Sequence, residues 1–160
     1  ETMGYESFVN RIKNIGVDGV LLVDLPAEEG EAFHALLKEN DIAPIFLIAP
    51  TTSEARIKKI AEQAKGFLYV VSLKGVTGSK ELDVTAVQTQ VEEIRKHTDL
   101  PLAVGFGIRD GKSAKAVAQF ADAVVVGSAY VSLIEKYAAD KTILLDKVKD
   151  FTAELRKAMD

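Results

Sequence analysis

The sequence predicts an α/β domain in which parallel strands alternate with helices, and three observations carry that prediction. Short runs rich in Val, Ile, Leu and Phe return at intervals of roughly 25 residues, as buried strands do. The segments between them place apolar residues three and four apart, which is the stripe of an amphipathic helix. No two strand-like runs are joined by a tight hairpin turn, so each strand returns through a helix, making the strands parallel and the crossovers right-handed. With 160 residues, 48% of them hydrophobic and 28% charged, the chain reads as one globular domain over residues 1–160. No linker or low-complexity stretch divides it.

In chain order, Phe8, Ile12 and Ile15 predict a helix over Ser7–Ile15, closed by Gly16. Gly19–Val23 is a buried strand that leaves through Asp24-Leu25-Pro26. A helix follows over Glu28–Asn40, with Ala32, Phe33, Leu36 and Leu37 inward, and its early glutamates suit the helix dipole. Ala43–Ala49 is a strand stopped at Pro50. Ser53 caps the next helix, which faces the core with Ile57, Ile60, Ala61 and Ala64. Phe67–Ser72 is the third strand, and the loop Leu73–Leu82 after it contains Gly75-Val76-Thr77-Gly78. Val84, Val87, Val91 and Ile94 form another helical stripe. Pro101 enters a fourth strand, Leu102–Gly105, which leaves through Gly105-Phe106-Gly107-Ile108. Ser113–Phe120 is a helix. Ala123–Val126, an unbroken β-branched run, reads as a strand buried on both faces, with Asp122 at its entry on the opposite, stability end of the sheet. Helices over Ser128–Lys136 and Thr142–Met159 finish the chain, the last with Leu145, Val148, Leu155 and Met159 on one side.

Two architectures accommodate this order: an open, doubly wound five-stranded parallel sheet, or part of a (β/α) barrel. A closed eight-stranded barrel takes about 250 residues, so this chain supplies five of its units. The short extra helix after the last strand favours the barrel, whose phosphate seat combines the final two strand exits with such a helix.

Composition narrows the chemistry. A net charge of −4 argues against nucleic acid and anionic membranes as partners, and no apolar run has membrane-spanning length. There is no cysteine, so disulfides, thiolate metal sites and thiol nucleophiles are excluded. His34 and His97 sit in polar helical segments and read as solvated. No two acids lie on neighbouring strand exits, so the chain suggests neither a metal site nor a paired-carboxylate site. The cytoplasm is the simplest compartment.

The strand exits carry the functional signal. Gly127 lets backbone approach a ligand, and Ser128 occupies a helix N-cap, so free N–H groups and the helix dipole point off the strand. Such a terminus seats phosphate, although a Gly-Ser turn also occurs for geometry alone. Gly105-Phe106-Gly107 on the neighbouring strand, and Gly75–Gly78 on the strand before that, add two more glycine-bearing loops at the same edge. Lys74 and Arg109 flank these loops, either steering an anion or simply solvated.

At these loops the sequence resembles the tryptophan synthase α subunit family. The matching text is VDGVLLVDLPAEE (Val17–Glu29), APIFLIAPTT (Ala43–Thr52), GFLYVVSLKGVTG (Gly66–Gly78), LAVGFGI (Leu102–Ile108) and ADAVVVGSAYV (Ala121–Val131). The resemblance implies a (β/α)8 TIM barrel of which this chain supplies strands 4–8. It also implies a lyase that splits indole-3-glycerol phosphate into indole and glyceraldehyde 3-phosphate by a retro-aldol step. On the same basis Gly78, Gly107, Gly127 and Ser128 bind the substrate phosphate, and Tyr69, Thr77 and Phe106 line the substrate pocket. Asp24 and Pro26 stand at the active-site rim or partner contact; for Asp24 the residues alone leave a plain loop carboxylate equally open, and for Tyr69 a core position. The partner implied is a β subunit carrying pyridoxal phosphate in an α2β2 complex; this chain itself implies no cofactor. The family's catalytic Glu and Asp belong to barrel units preceding the matched region, so the resemblance implies no catalytic residue here and a chain inactive alone. Two competing expectations are a non-catalytic phosphate-binding half-barrel and another phosphate-handling barrel enzyme of amino-acid biosynthesis. Apolar strand edges at either end of the sheet would favour self-association.

Overall fold

The computed structural model describes residues 3–23, 25, 30–72, 83–105 and 107–160. Its elements are α1 (Tyr5–Asn14), β1 (Gly19–Leu21), α2 (Glu31–Glu39), β2 (Ala43–Ile48), α3 (Glu54–Gln63), β3 (Leu68–Val71), α4 (Val84–Arg95), β4 (Leu102–Gly105), α5 (Gly111–Ala118), β5 (Ala123–Val125), α6 (Ser128–Tyr137) and α7 (Lys141–Met159). All five strands are parallel and lie in sequential order, β1-β2-β3-β4-β5. Sequential order decides between the two architectures. A doubly wound sheet reverses its strand order to bring helices onto both faces, whereas right-handed crossovers between successive neighbours put every helix on one face. The chain is therefore singly wound, as in part of a (β/α) barrel.

The core records this one-sidedness. Phe46 and Ile48 of β2, Leu68 and Val70 of β3, and Leu102 and Val104 of β4 stand in register on the helix side. There they pack with Ile57 and Ile60 of α3, Val87, Val91 and Ile94 of α4, Ala114 and Val117 of α5, and Leu155 of α7. A second cluster joins Val9 and Ile12 of α1 to Phe33 and Leu37 of α2 and to Ile42, with Val20 of β1 against it. Alternation along each strand sends Tyr69, Val71, Ala103 and Gly105 to the face without helices.

Several expectations change. The runs at 19–23 and 123–126 are short edge strands, and neither is buried on both faces: Leu21 and Ala123 are exposed, and Val124 and Val125 half-buried. Each has a neighbour on one side only, which is what their places at the ends of the order require. Ile15 follows the last turn of α1 and is 72% exposed, while Val9, missed in the sequence, is its buried contact. Ala32 and Leu145 also face outward. Ser53 stands at the N-cap of α3, yet its side chain makes no capping hydrogen bond. The start of the expected helix at Glu28 lies outside the described residues.

The largest correction concerns His34. It is 3% exposed, not solvated, with its ring edge-on to Phe46 at 4.6 Å between centroids. The hydrophobic faces of α2 and β2 close over it, and its Nδ1 has no hydrogen-bond partner. His97 is also drawn in, half-buried with Nε2 3.7 Å from Glu54 Oε1 and 3.8 Å from Glu93 Oε1. At the strand-entry end, Asp122 behaves as expected of the stability face. Its Oδ2 accepts from the Leu102 amide at 2.8 Å and from Arg95 Nη2 at 2.6 Å, tying β5 to β4 and α4. The Leu102 amide, more than any other contact, holds that carboxyl below its usual range.

Burial holds the His34 imidazole below its ordinary value of 6.5, with Lys38 on the same helix acting in the same direction. Gln63 of α3, by hydrogen bonding, and Glu31 oppose the shift more weakly. The unfolded chain therefore binds more protons here than the folded one, so this contribution to stability is complete above 6.5 and is lost as pH falls below it. Urea midpoints measured from pH 7.5 to pH 5 are expected to fall more steeply for the wild type than for His34→Gln; equal slopes would show that His34 does not titrate on unfolding.

Candidate functional site

The C-terminal edge of the sheet gathers the loops that leave β4 and β5. Because these strands are adjacent and parallel, with Gly105 opposite Val125, their exits emerge side by side. Gly107, two residues past β4, has φ +79°, a left-handed conformation in which a Cβ would be strained. The next turn is fixed by side chains. The Asp110 carboxylate accepts from the Ser113 amide at 2.8 Å, and Ser113 Oγ accepts from the Arg109 and Asp110 amides at 3.1 and 3.2 Å. This capping box starts α5 at Gly111 and holds the backbone on which Gly107 and Arg109 are mounted. The hydrogen bonds from Ser113, its backbone amide above all, lower the Asp110 carboxyl from its usual range.

Beyond β5, Gly127 rather than Ser128 is the N-cap of α6, and Ser128 is the first helical residue. The correction follows from backbone bonding: the Gly127 carbonyl already accepts from Tyr130 and Val131, at 2.9 and 3.2 Å. Among the described residues the Ser128 and Ala129 amides find no acceptor, so the first turn of α6 presents donors at the sheet's exit. A Cβ built on Gly127 would meet nothing within 4 Å, so packing does not explain the glycine. The helix is anchored from behind by Tyr130, whose ring lies edge-on to Phe151 of α7 and whose hydroxyl is 2.8 Å from Thr152 Oγ1.

Tyr69 lies half-buried on the helix-free face, where burial raises its phenol above the usual range. Its hydroxyl reaches across β4 to Gly105: a Cβ there would fall 2.0 Å from Tyr69 Oη. Gly105 is the last residue of β4 and the bed on which Tyr69 lies, a role that its place in an exit motif concealed. The Asp110–Ser113 box stands in the sequence as D-x-x-S, and it starts the helix at Gly111, two residues before the Ser113 expected from the apolar pattern.

The structure thus brings Gly107, Gly127 and Ser128 to one rim and sets Tyr69 on the open face of β3. Asp24, Pro26, Thr77, Gly78 and Phe106 lie outside the described residues, as does Lys74. Among the described residues no group of three His, Asp or Glu side chains could hold a metal, and no helix is long and apolar enough to cross a membrane.

Comparison with known proteins gives one answer. The family model described as "Tryptophan synthase alpha chain" matches residues 1–160. The tryptophan synthase alpha chain of Thioalkalivibrio sulfidiphilus is 54% identical over 160 residues, covering all of this chain and 60% of the relative. That of Acinetobacter baumannii is 51% identical over 162 residues, covering 59% of the relative. The chain therefore spans about 60% of the length of the curated relatives it matches. Among solved structures, tryptophan synthase subunit alpha from Legionella pneumophila superposes with a TM-score of 0.86 at 33% identity, over 99% of this chain and 58% of that one. A tryptophan synthase chain from M. tuberculosis gives 0.82 at 28% identity, over 98% and 56%.

The Tyr69–Gly105 contact makes a sharp prediction. Gly105→Ala is expected to cost about 1–3 kcal/mol of unfolding free energy, as overpacking does, and much less beside Tyr69→Ala. A double-mutant cycle in urea checks this, and additive effects would show that the tyrosine is not what glycine accommodates.

Proposed function

The chain belongs to the tryptophan synthase alpha chain family, and from that premise we propose that it serves the alpha-chain reaction, the retro-aldol cleavage of indole-3-glycerol phosphate to indole and glyceraldehyde 3-phosphate. One observation supports its part in that reaction above all others: adjacent strand exits carry Gly107 and the Gly127–Ser128 start of α6 on the same rim, with first-turn amides unbonded. Those amides donate to the oxygens of the ester phosphate, and glycine at 107 and 127 lets it approach without an intervening side chain. Gly78 completes the seat from the loop after β3, with Thr77 closing that loop over substrate and excluding water. The phosphate end of the substrate is held at the rim, and its indole lies over the helix-free face, against Tyr69 and Phe106.

Cleavage of the carbon–carbon bond needs a proton delivered to the indole ring and one removed from the glycerol hydroxyl. The family's glutamate and aspartate for those transfers have no counterpart in these 160 residues, so the chain alone binds phosphate without turnover. The open edges of β1 and β5 are where further barrel strands, or a second copy, would pair. Asp24 and Pro26 serve the active-site rim or the contact with a β subunit, which carries the pyridoxal phosphate and consumes the indole. An alpha chain with this role works in the cytoplasm, alongside the rest of amino-acid biosynthesis.

Two measurements test this. The purified chain is expected to bind glycerol 3-phosphate saturably by calorimetry, and Gly127→Asp, which has room in the fold, is expected to abolish binding with the circular dichroism spectrum unchanged; retained affinity would remove Gly127 from the seat. Incubated with indole-3-glycerol phosphate, alone or with a β subunit, the chain is expected to release no indole, and turnover at the rate of a full-length alpha chain would show that it holds its own acid and base.

A further inference from the structure

The seat proposed above is built of amides and a hydroxyl, and none of these carries a full charge. A helix N-terminus contributes the equivalent of about half a positive charge, whereas a phosphate ester at neutral pH carries close to two negative ones. The cavity on which Ser128 opens, about 510 Å³ in volume, is lined among the described residues by one cation, Arg109, together with Ser128, Ala129, Ser132, Leu133 and Phe151. Arg109 is exposed, and among the described residues its guanidinium meets no carboxylate and donates no hydrogen bond. Its backbone, two residues beyond Gly107, is by contrast held by the hydrogen bond that its amide donates to Ser113 Oγ. The adjoining acid, Asp110, is committed to the first turn of α5. A cation fixed at its root, unengaged at its tip and lining the same cavity as the first residue of α6 is what a charged ligand at that helix end calls for.

We propose that Arg109 is a charge-compensating residue for the substrate phosphate, closing over the outer side of the anion that the α6 amides hold from below. The proposal rests on the phosphate seat itself, and the experiment separates the two. Glycerol 3-phosphate is titrated into the wild-type chain and into Arg109→Gln, Arg109→Lys and Lys112→Gln, the last removing equal charge next door, outside the cavity lining. At low ionic strength Arg109→Gln is expected to bind roughly fivefold to tenfold more weakly, Arg109→Lys to recover part of the loss, and Lys112→Gln to change little. At 0.5 M salt the gap between wild type and Arg109→Gln is expected to shrink, because screening acts on charge and not on loop structure. Thermal melts without ligand are expected to coincide. Equal affinities of wild type and Arg109→Gln at low salt, or a gap indifferent to salt, overturn the role of Arg109 while leaving the seat in place. No saturable binding by the wild type overturns the seat, and the role of Arg109 with it.

Discussion

The handedness of the strand crossover is the constraint from which the other features follow. A right-twisted strand feeding a right-handed helix packs back onto the sheet from one side. When each strand lies directly beside its predecessor, that rule repeats without reversal, and every helix falls on the same face. The core is then a single layer of contacts between sheet and helices, centred on β2, β3 and β4. The opposite face keeps its apolar side chains without helical cover, and all strand exits gather along one edge. Separation of a stabilising end, where Asp122 clamps β5 to β4, from a loop-bearing end is a product of topology before it is one of function.

Within that frame the rim is ordered by small polar devices. The Asp110–Ser113 box sets where α5 begins, and so fixes how the backbone turns from Gly107 into the helix. The Gly127 carbonyl starts α6, while Tyr130, Phe151 and Thr152 hold that helix against α7. Each interaction is worth on the order of 1 kcal/mol. Together they place amides that have no acceptor of their own beside each other, which is the physical content of the resemblance read from the glycine motifs.

The order of the elements was legible because alternating strand and helix patterns are long-range features that no single residue can disguise. Leu102–Gly105 and the core stripe Val87, Val91, Ile94 were readable to the residue. What the sequence hid was set by tertiary context. His34 looks polar on its helix, yet the packing of α2 on β2 buries it. Ala123–Val125 has the composition of a central strand, but a strand's neighbours are decided by where the sheet stops. Ser128 has the chemistry of a cap, and the backbone gave that place to Gly127. Gly105 belonged to a motif, and only the path of the Tyr69 side chain reveals why no Cβ fits there. Of the site, Gly107, Gly127 and Ser128 were legible as neighbours on one rim; the surroundings of Tyr69 were not.

The chain contains no tryptophan and four tyrosines. Its near-ultraviolet absorption and intrinsic fluorescence therefore come from phenols, and Tyr69 is the one set on the helix-free face, pressed over Gly105 beside the strand exits. Anything settling on that face, whether an aromatic ligand or another polypeptide, changes the polarity around this ring. The molecule carries its own optical reporter for occupancy, readable by difference spectroscopy without a label.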